Sequence, residues 1–327
     1  MKVLVVRFSS IGDVVLTTPV LRGLKEQLKE VEIHYLTKTQ FTGILEHNPR
    51  IDKIYTMDKH IDELIPDLKK EQYDFIIDLH NNLRTKSLKS KLKRPSQAFN
   101  KLNWKKWLLV KFKMNRLPKI HIVERYFDTV ASLNVKNDHL PCEYFISKND
   151  EVDVFEKLDV APKKFVAIAI GAQFKTKKMP KELLVKIISQ LKEPVVLLGG
   201  EMDADFAIEL IDALPNSAIK NACGGFNLSE SASIVKQCKR LITNDTGMMH
   251  IASCFGVHID SVWGNTVPDL GMYPYYPADN EKFRIHEVKG LKCRPCSKIG
   301  FQECPKKHFD CMMKQNVDEI TGKTTLP

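Results

Sequence analysis

Short apolar runs alternate with amphipathic stretches along the whole chain. Val3 to Phe8 reads as a buried strand, and from Asp13 onward Val14, Leu21, Leu24 and Leu28 fall on one face at helical spacing. Strand-like segments follow at 31–37, 53–57 and 73–79, with polar or helical stretches between them. The alternation breaks near 140–163, a charged segment carrying Pro141 and Pro162, and restarts with an apolar strand at 165–171. Beyond it the pattern predicts a helix near 180–192, a strand at 194–199, a helix near 203–213 and a short strand near 217–220. A helix near 228–238, a strand at 240–245, a helix from Thr246 and a strand at 257–264 complete the series. This order predicts an α/β fold of parallel sheets covered by helices on both faces. Two Rossmann-like, doubly wound domains facing across a cleft are expected, over 1–155 and 156–327. Ligands of open parallel sheets bind outside the carboxyl ends of the strands, so residues at strand ends are the candidates for chemistry.

Composition narrows the class. A chain of 327 residues has room for two domains that each bury a core. Its 43% hydrophobic and 28% charged residues are those of a globular protein, not a disordered or fibrous one. No run nears the ~20 apolar residues that span a bilayer, and the short apolar start lacks a signal-peptide pattern. A cytoplasmic protein with reduced cysteines is therefore expected. The formal net charge of +10 points to an anionic partner: nucleic acid, acidic lipid or a phosphorylated substrate.

Four strand ends carry candidate residues. The first runs into Arg7-Phe8-Ser9-Ser10-Ile11-Gly12-Asp13, which is neither a dinucleotide fingerprint nor a P-loop. Asp13 there is either a helix cap or a general base. After Gly171, a loop with Lys175, Lys177 and Lys178 suits phosphate, or is simply a solvated basic loop. Gly199 and Gly200 precede Glu201, an acid placed to take ribose hydroxyls or to favour a helix start. Asn244-Asp245-Thr246-Gly247 leads straight into a helix with His250 one turn in, and a helix start offers unpaired N–H groups to an anion.

Read together, these segments resemble the ADP-heptose:lipopolysaccharide heptosyltransferases, a glycosyltransferase family. The resemblance rests on Ser9-Ser10-Ile11-Gly12-Asp13 with Thr17-Thr18-Pro19, on Gly171-Ala172-Gln173 with Thr176-Lys177-Lys178-Met179-Pro180, on Asp245-Thr246-Gly247-Met248-Met249-His250, and on Trp263-Gly264-Asn265-Thr266-Val267-Pro268. Gln173 stands where Ser or Thr is usual and Met179 where Trp is usual, both in the loop expected near the donor diphosphate. The resemblance implies a GT-B architecture and inverting transfer of a heptose or similar sugar from an ADP-sugar to a lipopolysaccharide core acceptor, with no cofactor. It makes Asp13 the base, with Ser10, Gly12, His80, Arg84 and His121 on the acceptor side. Gln173, Thr176, Lys177, Glu201, Asp245, Thr246, Gly247 and His250 would hold the nucleotide-sugar donor. The rival readings are a GT-B transferase with another sugar and glycan, and an α/β protein that binds nucleic acid.

Two features stand outside that pattern. Cys293, Cys296, Cys304 and Cys311 form either a cluster of reduced thiols or a zinc-type site, although the second pair is spaced more widely than in a ribbon or finger. Between Lys86 and Lys119 there are twelve Lys or Arg and no Asp or Glu, interleaved with Phe99, Trp104, Trp107 and Phe112. A solvated face and a nucleic-acid surface are open readings. Placed in the first domain, the run favours contact with the inner-membrane surface and with an anionic glycolipid acceptor. Its charges exceed the net +10, so the remainder of the chain is slightly negative.

Overall fold

In the computed structural model, which describes residues 1–323, apolar strand residues place helices on both faces of two parallel sheets. The last four positions of the expected second domain lie outside the described residues. The first half contains β1 (Lys2–Val6), α1 (Ile11–Val15), α2 (Thr18–Gln27), β2 (Glu32–Lys38), β3 (Lys53–Met57), α3 (Ile65–Lys70), β4 (Phe75–Asp78), α4 (Leu83–Leu92) and β5 (Ser96–Ala98). Next come α5 (Asn103–Phe112), α6 (Ile122–Phe127) and α7 (Val154–Leu158). The second half contains β6 (Val166–Ala169), α8 (Lys181–Ile188), β7 (Val195–Leu198), α9 (Ala204–Asp212), β8 (Ile219–Asn221), α10 (Leu228–Gln237) and β9 (Arg240–Asn244). It ends with α11 (Gly247–Cys254), β10 (His258–Trp263), β11 (Phe283–Glu287), α12 (Asp310–Met313) and α13 (Val317–Thr321).

The strand orders are β3-β2-β1-β4-β5 and β11-β10-β9-β6-β7-β8, with every pairing parallel. The winding thus reverses between β1 and β4 in one sheet and between β6 and β9 in the other. Alternate strand residues face opposite sides. In the second sheet Ala167, Val196, Leu241 and Ile259 pack under α10 and α11, while Val166, Ile168, Leu197 and Ile242 pack under α8 and α9. Met312 of α12 and Ile320 of α13 fill that second face. In the first sheet Leu4, Val6, Leu36 and Ile76 pack with Ile65, Leu68, Leu88 and Leu92 of α3 and α4.

The predicted strands are all present, with ends within two residues of those expected, and two edge strands escape the pattern. β5 is three residues of Ser-Gln-Ala, and β11 is the polar run Phe-Arg-Ile-His-Glu; an edge strand needs too little burial to print an apolar signature. The helix expected from Asp13 divides into α1 and α2 around Leu16 and Thr17, with Pro19 in the first turn of α2.

Contacts divide the chain into one unit of residues 1–101 and 120–145 and another of 102–119 and 146–327. This differs from the expected 1–155 and 156–327 in two ways. Residues 146–155 join the second unit because the Val152 N–H donates to Ser233 Oγ at 2.9 Å and Val154 is fully buried in its core. The segment around α5 also joins it: Leu109 packs on Val267 and Leu270, and Lys113 Nζ donates to the carbonyls of Cys293 and Pro295 at 3.2 and 2.7 Å. Half of the basic run therefore belongs to the second unit.

Within the first unit, Arg22 of α2 is buried and binds Asp138 through Nε at 2.6 Å and Nη2 at 2.8 Å, with further bonds to the carbonyls of Leu140 and Pro141. This guanidinium fastens the irregular chain after α6 to α2. Arg22→Ala should destabilise the protein by about 3 kcal/mol, because Asp138 and two carbonyls lose a charged partner. Urea unfolding of the two proteins measures the difference.

Candidate active site

Both reversal points carry polar clusters at the carboxyl ends of their strands. In the first unit Arg7 follows β1 and is buried. Its Nε donates to the Ser9 carbonyl at 2.7 Å, Nη1 to the Leu79 carbonyl at 2.6 Å, and Nη2 pairs with Asp13 Oδ1 at 2.5 Å. Burial opposes the charge on Arg7, but Asp13, with the Tyr126 and Tyr35 phenols, outweighs it and the pKa is raised. Asp13 Oδ2 accepts from the Ser10 hydroxyl at 2.8 Å and the Ser10 N–H at 3.2 Å, closing the first turn of α1. Asp13 is thus a cap in fact, and one whose other oxygen is aimed by a buried guanidinium. Gly12 is buried inside the same turn.

Asp78 ends β4 and is fully buried, paired with Lys89 at 2.8 Å and accepting from the N–H groups of His80 and Asn81 at 3.1 and 2.7 Å. His80 stacks near Phe8 with 4.8 Å between centroids. Desolvation first, then the charges of Arg7 and Lys101, push its pKa down to about 3, so the imidazole is neutral at physiological pH. His121 is the N-cap of α6, its Nδ1 accepting from the Val123 N–H at 3.2 Å. Arg84 is exposed in the first turn of α4.

In the second unit Lys177 Nζ lies 2.6 Å from Asp245 Oδ2, which also accepts from the Thr266 hydroxyl at 2.9 Å. Asn244 Nδ2 donates to the Lys177 carbonyl at 2.9 Å, tying the lysine loop to the end of β9. Thr246 is the N-cap of α11, so the first N–H groups of that helix open beside the Lys177–Asp245 pair. His250 is buried one turn further in, and Gly247 is half-buried at the helix start. Asn265, after β10, buries both polar atoms of its amide without a protein hydrogen-bond partner among the described residues, an exception that calls for water or ligand.

Other sequence candidates are placed differently. Thr176 is buried and exchanges hydrogen bonds with the Phe301 backbone, accepting from its N–H at 2.8 Å and donating to its carbonyl at 2.9 Å. Gln173 and Glu201 are exposed. Met179, expected near a diphosphate, instead fills the core under α8, so its departure from the usual Trp is a packing matter. Asp203, two residues past Glu201, is the buried acid: it pairs with Lys178 at 2.5 Å and accepts from the Gly200 N–H at 3.0 Å. A Cβ on Gly171 would lie 2.5 Å from its Oδ2, which explains the glycine. Asp203 was not singled out from sequence, and Arg7 and Thr266 entered only as members of motifs without a role, although an arginine inside an apolar strand end is itself a signal of a paired charge.

A cavity of about 560 Å³ is lined by Ile188, Val195, Leu214 and Ala218 at the opposite, amino ends of β7 and β8 and holds none of these groups.

A family model described as glycosyltransferase family 9 (heptosyltransferase) matches residues 61–301, from before β4 to Phe301. The chain belongs to glycosyltransferase family 9. It is 28% identical to lipopolysaccharide heptosyltransferase 1 of Campylobacter coli over 292 residues, 81% of this chain and 84% of that one. Among solved structures, a family 9 glycosyltransferase of Veillonella parvula superposes with a TM-score of 0.69 at 23% identity, over 87% of this chain and 85% of that one. The ADP-heptose lipopolysaccharide heptosyltransferase II of E. coli gives 0.70 at 18%, over 96% and 98%. The two-sheet fold expected from alternation is the fold of these glycosyltransferases. The family 9 match includes the Lys177 loop, the start of α11 and Thr266, whereas the Asp13 turn precedes it.

The pKa of His80 makes a pH prediction. Its folded value lies below the unfolded value of about 6.5, so the unfolded chain binds the proton first and stability falls as pH drops from about 6.5 towards 3. Denaturant midpoints measured across that range should show a shallower fall for His80→Gln than for the native protein.

Proposed function

We propose that this family 9 glycosyltransferase moves a heptose from ADP-heptose to a lipopolysaccharide core acceptor, with inversion at the anomeric carbon. The carrying observation is the Lys177 ammonium held by Asp245, to which the Thr266 hydroxyl also donates, beside the N-terminus of α11. Glycosyl transfer builds positive character on the anomeric carbon and negative charge on the departing diphosphate. A lysine and the helix N–H groups meet that charge where it develops. Asp245 keeps Lys177 in place between turnovers, and phosphate oxygens would compete with the carboxylate for it. The sugar and nucleotide assignments are supported by the names of the relatives.

In the first unit Asp13 acts as base. The acceptor hydroxyl gives its proton to the carboxylate as the oxygen bonds to the anomeric carbon and the bond to the diphosphate breaks. Arg7 serves as a positioning residue, fixing one carboxylate oxygen through a buried pair, and Ser10 fixes the other. Neutral His80 is available for a hydroxyl of the acceptor. Gln173, Glu201, Gly247 and His250 remain donor-side candidates, with Arg84 and His121 on the acceptor side. Thr176 contributes by holding the Lys177 loop to Phe301.

The helix α5 supports a membrane-surface role. Trp104 and Trp107 are 66% and 45% exposed and stack with centroids 4.8 Å apart; exposed Phe112 meets Trp107 edge-on, and exposed Lys105, Lys111, Lys113, Arg116 and Lys119 lie between and after them in sequence. Aromatic rings flanked by cations suit an anionic lipid interface. Among the described residues no helix is long and apolar enough to cross a membrane.

Asp13→Asn should lower kcat by about 10²–10⁴-fold with the Kd for ADP-heptose unchanged; turnover near the native rate removes the base assignment. Trp104→Ala/Trp107→Ala should lose binding to vesicles containing phosphatidylglycerol while keeping activity on a soluble acceptor. Equal vesicle binding by both proteins, or tighter binding to single-stranded DNA than to vesicles, removes the membrane reading.

A further inference from the structure

Helix α5 has two sides with different attachments. At about 3.6 residues per turn Leu109 and Lys113 stand one above the other, while Trp104, Trp107 and Lys111 lie about 140–160° round the helix from Leu109. The first side is docked. Leu109, the buried residue of α5, packs on Val267 and Leu270, with half-buried Leu117 against them. Lys113 Nζ donates to the carbonyls of Cys293 and Pro295 at 3.2 and 2.7 Å. The second side is open: the stacked tryptophans and Lys111 are exposed. No Asp or Glu between Lys86 and Lys119 offsets the positive charge around them.

The loop on which α5 docks also enters the candidate site. Val267 follows Thr266, whose hydroxyl donates to Asp245, the carboxylate that holds Lys177. A single peptide bond thus separates a helix contact from a donor-side contact. The same stretch is gripped from the segment after β11. Arg294 donates through Nε to the Gly264 carbonyl at 2.5 Å and through Nη2 to the Thr266 carbonyl at 2.9 Å, and the Cys296 N–H donates to the Asn265 carbonyl at 3.1 Å. Asn265, held at its backbone in this way, still buries both polar atoms of its amide without a protein partner among the described residues. A loop with such a group gains from any rearrangement that pairs it, so a second arrangement is within reach.

Without this docking α5 is a marginal element. Its 10 residues are fewer than the ~12–15 that an isolated helix needs in water. One buried leucine anchors it, and Leu102 and Lys113 at its ends hold φ of 51° and 61°, in the left-handed region that is costly for a side chain. The helix therefore has two states, docked and ordered or released and frayed. A bilayer surface favours the ordered state, because only the helix brings both indoles and Lys111 onto one side. A diphosphate acts from the other end. Its oxygens compete with Asp245 for Lys177, which leaves the carboxylate to Thr266 and tightens the loop that carries Val267. Two ligands that order the same element bind more tightly together than apart.

On the assignments of α5 to a lipid surface and of Lys177 to the donor diphosphate, we propose that an anionic bilayer and the nucleoside diphosphate bind cooperatively, coupled through Leu109–Val267 and Thr266–Asp245–Lys177. The coupling is reciprocal: the surface tightens the nucleotide site by the same factor as the nucleotide tightens α5 on the surface. The donor is then held best by molecules already at the membrane, where a lipid-linked acceptor resides. Leu109 is a positioning residue in this arrangement, acting through Val267 rather than on either ligand. All of the named contacts lie within the second unit, so the coupling is internal to it.

The test reads binding rather than turnover, on the full chain. Calorimetry with ADP should give a Kd about fivefold or more lower in the presence of saturating phosphatidylglycerol vesicles, and an unchanged Kd with phosphatidylcholine vesicles. Sedimentation with phosphatidylglycerol vesicles should show the same factor when saturating ADP is added. Hydrogen exchange at the amides of 103–112, remote in the chain from the Lys177 loop, should slow with ADP alone. Leu109→Ala keeps both tryptophans and Lys177, and should bring both ratios to within about twofold of one. Binding of both ligands with each Kd unchanged by the other overturns the proposal alone, as does a Leu109→Ala protein that keeps the native ratios. Failure to bind ADP, or to bind the vesicles, overturns it together with the matching part of the proposed function. If Leu109→Ala does not fold, the two native ratios and the exchange rates decide.

Discussion

The reversal of winding in each parallel sheet is the constraint on which the rest of this protein depends. Where strand order turns back on itself, the loops after two neighbouring strands diverge to opposite faces and leave the strand ends uncovered. In the first sheet that opening lies between β1 and β4, and in the second between β6 and β9. Arg7, Asp13 and His80 follow the first pair; Gly171, Lys177 and Asp245 follow the second. The polar residues of the candidate site stand where the backbone leaves space for a ligand.

Each cluster is assembled by charge pairing rather than by apolar burial. A buried guanidinium needs a partner, and Arg7 finds it in Asp13, so the requirement that stabilises the turn also aims the carboxylate. The helix-cap role of Asp13 is compatible with the base role proposed for it. One oxygen completes the first turn of α1 through Ser10 while Arg7 orients the group. In the second unit Thr266, Asp245 and Lys177 form a comparable chain of contacts, backed by Arg294 from the cysteine-rich segment. A segment remote in sequence thereby becomes the support of the Lys177 loop.

Much of this was legible along the chain. β6, β7 and β1 after Lys2 are runs of Val, Ile, Leu or Ala buried on both faces, which is why the sheets could be read from the pattern along the chain. The edge strands β5 and β11 could not, because one covered side demands little apolar character. Asp245, Thr246 and Lys177 stood out as polar residues at strand ends, although a helix cap and a solvated loop were the alternatives there. Glu201 was the visible acid of its motif, but Asp203 is the one turned inward, a choice made by the geometry of a single turn.

The sequence by itself determined the α/β class, the presence of two sheets and the strand ends that bear polar motifs, since each follows from local periodicity and turn chemistry. Only the tertiary structure decided which partners those groups take: that Asp13 is held by Arg7, that Met179 is core, and that α5, with half of the basic run, packs on Val267 and Leu270 in the second unit. The reason is physical. Periodicity records which residues must leave water, whereas the choice of partner depends on contacts between segments far apart in the chain, and these leave no periodic trace in it.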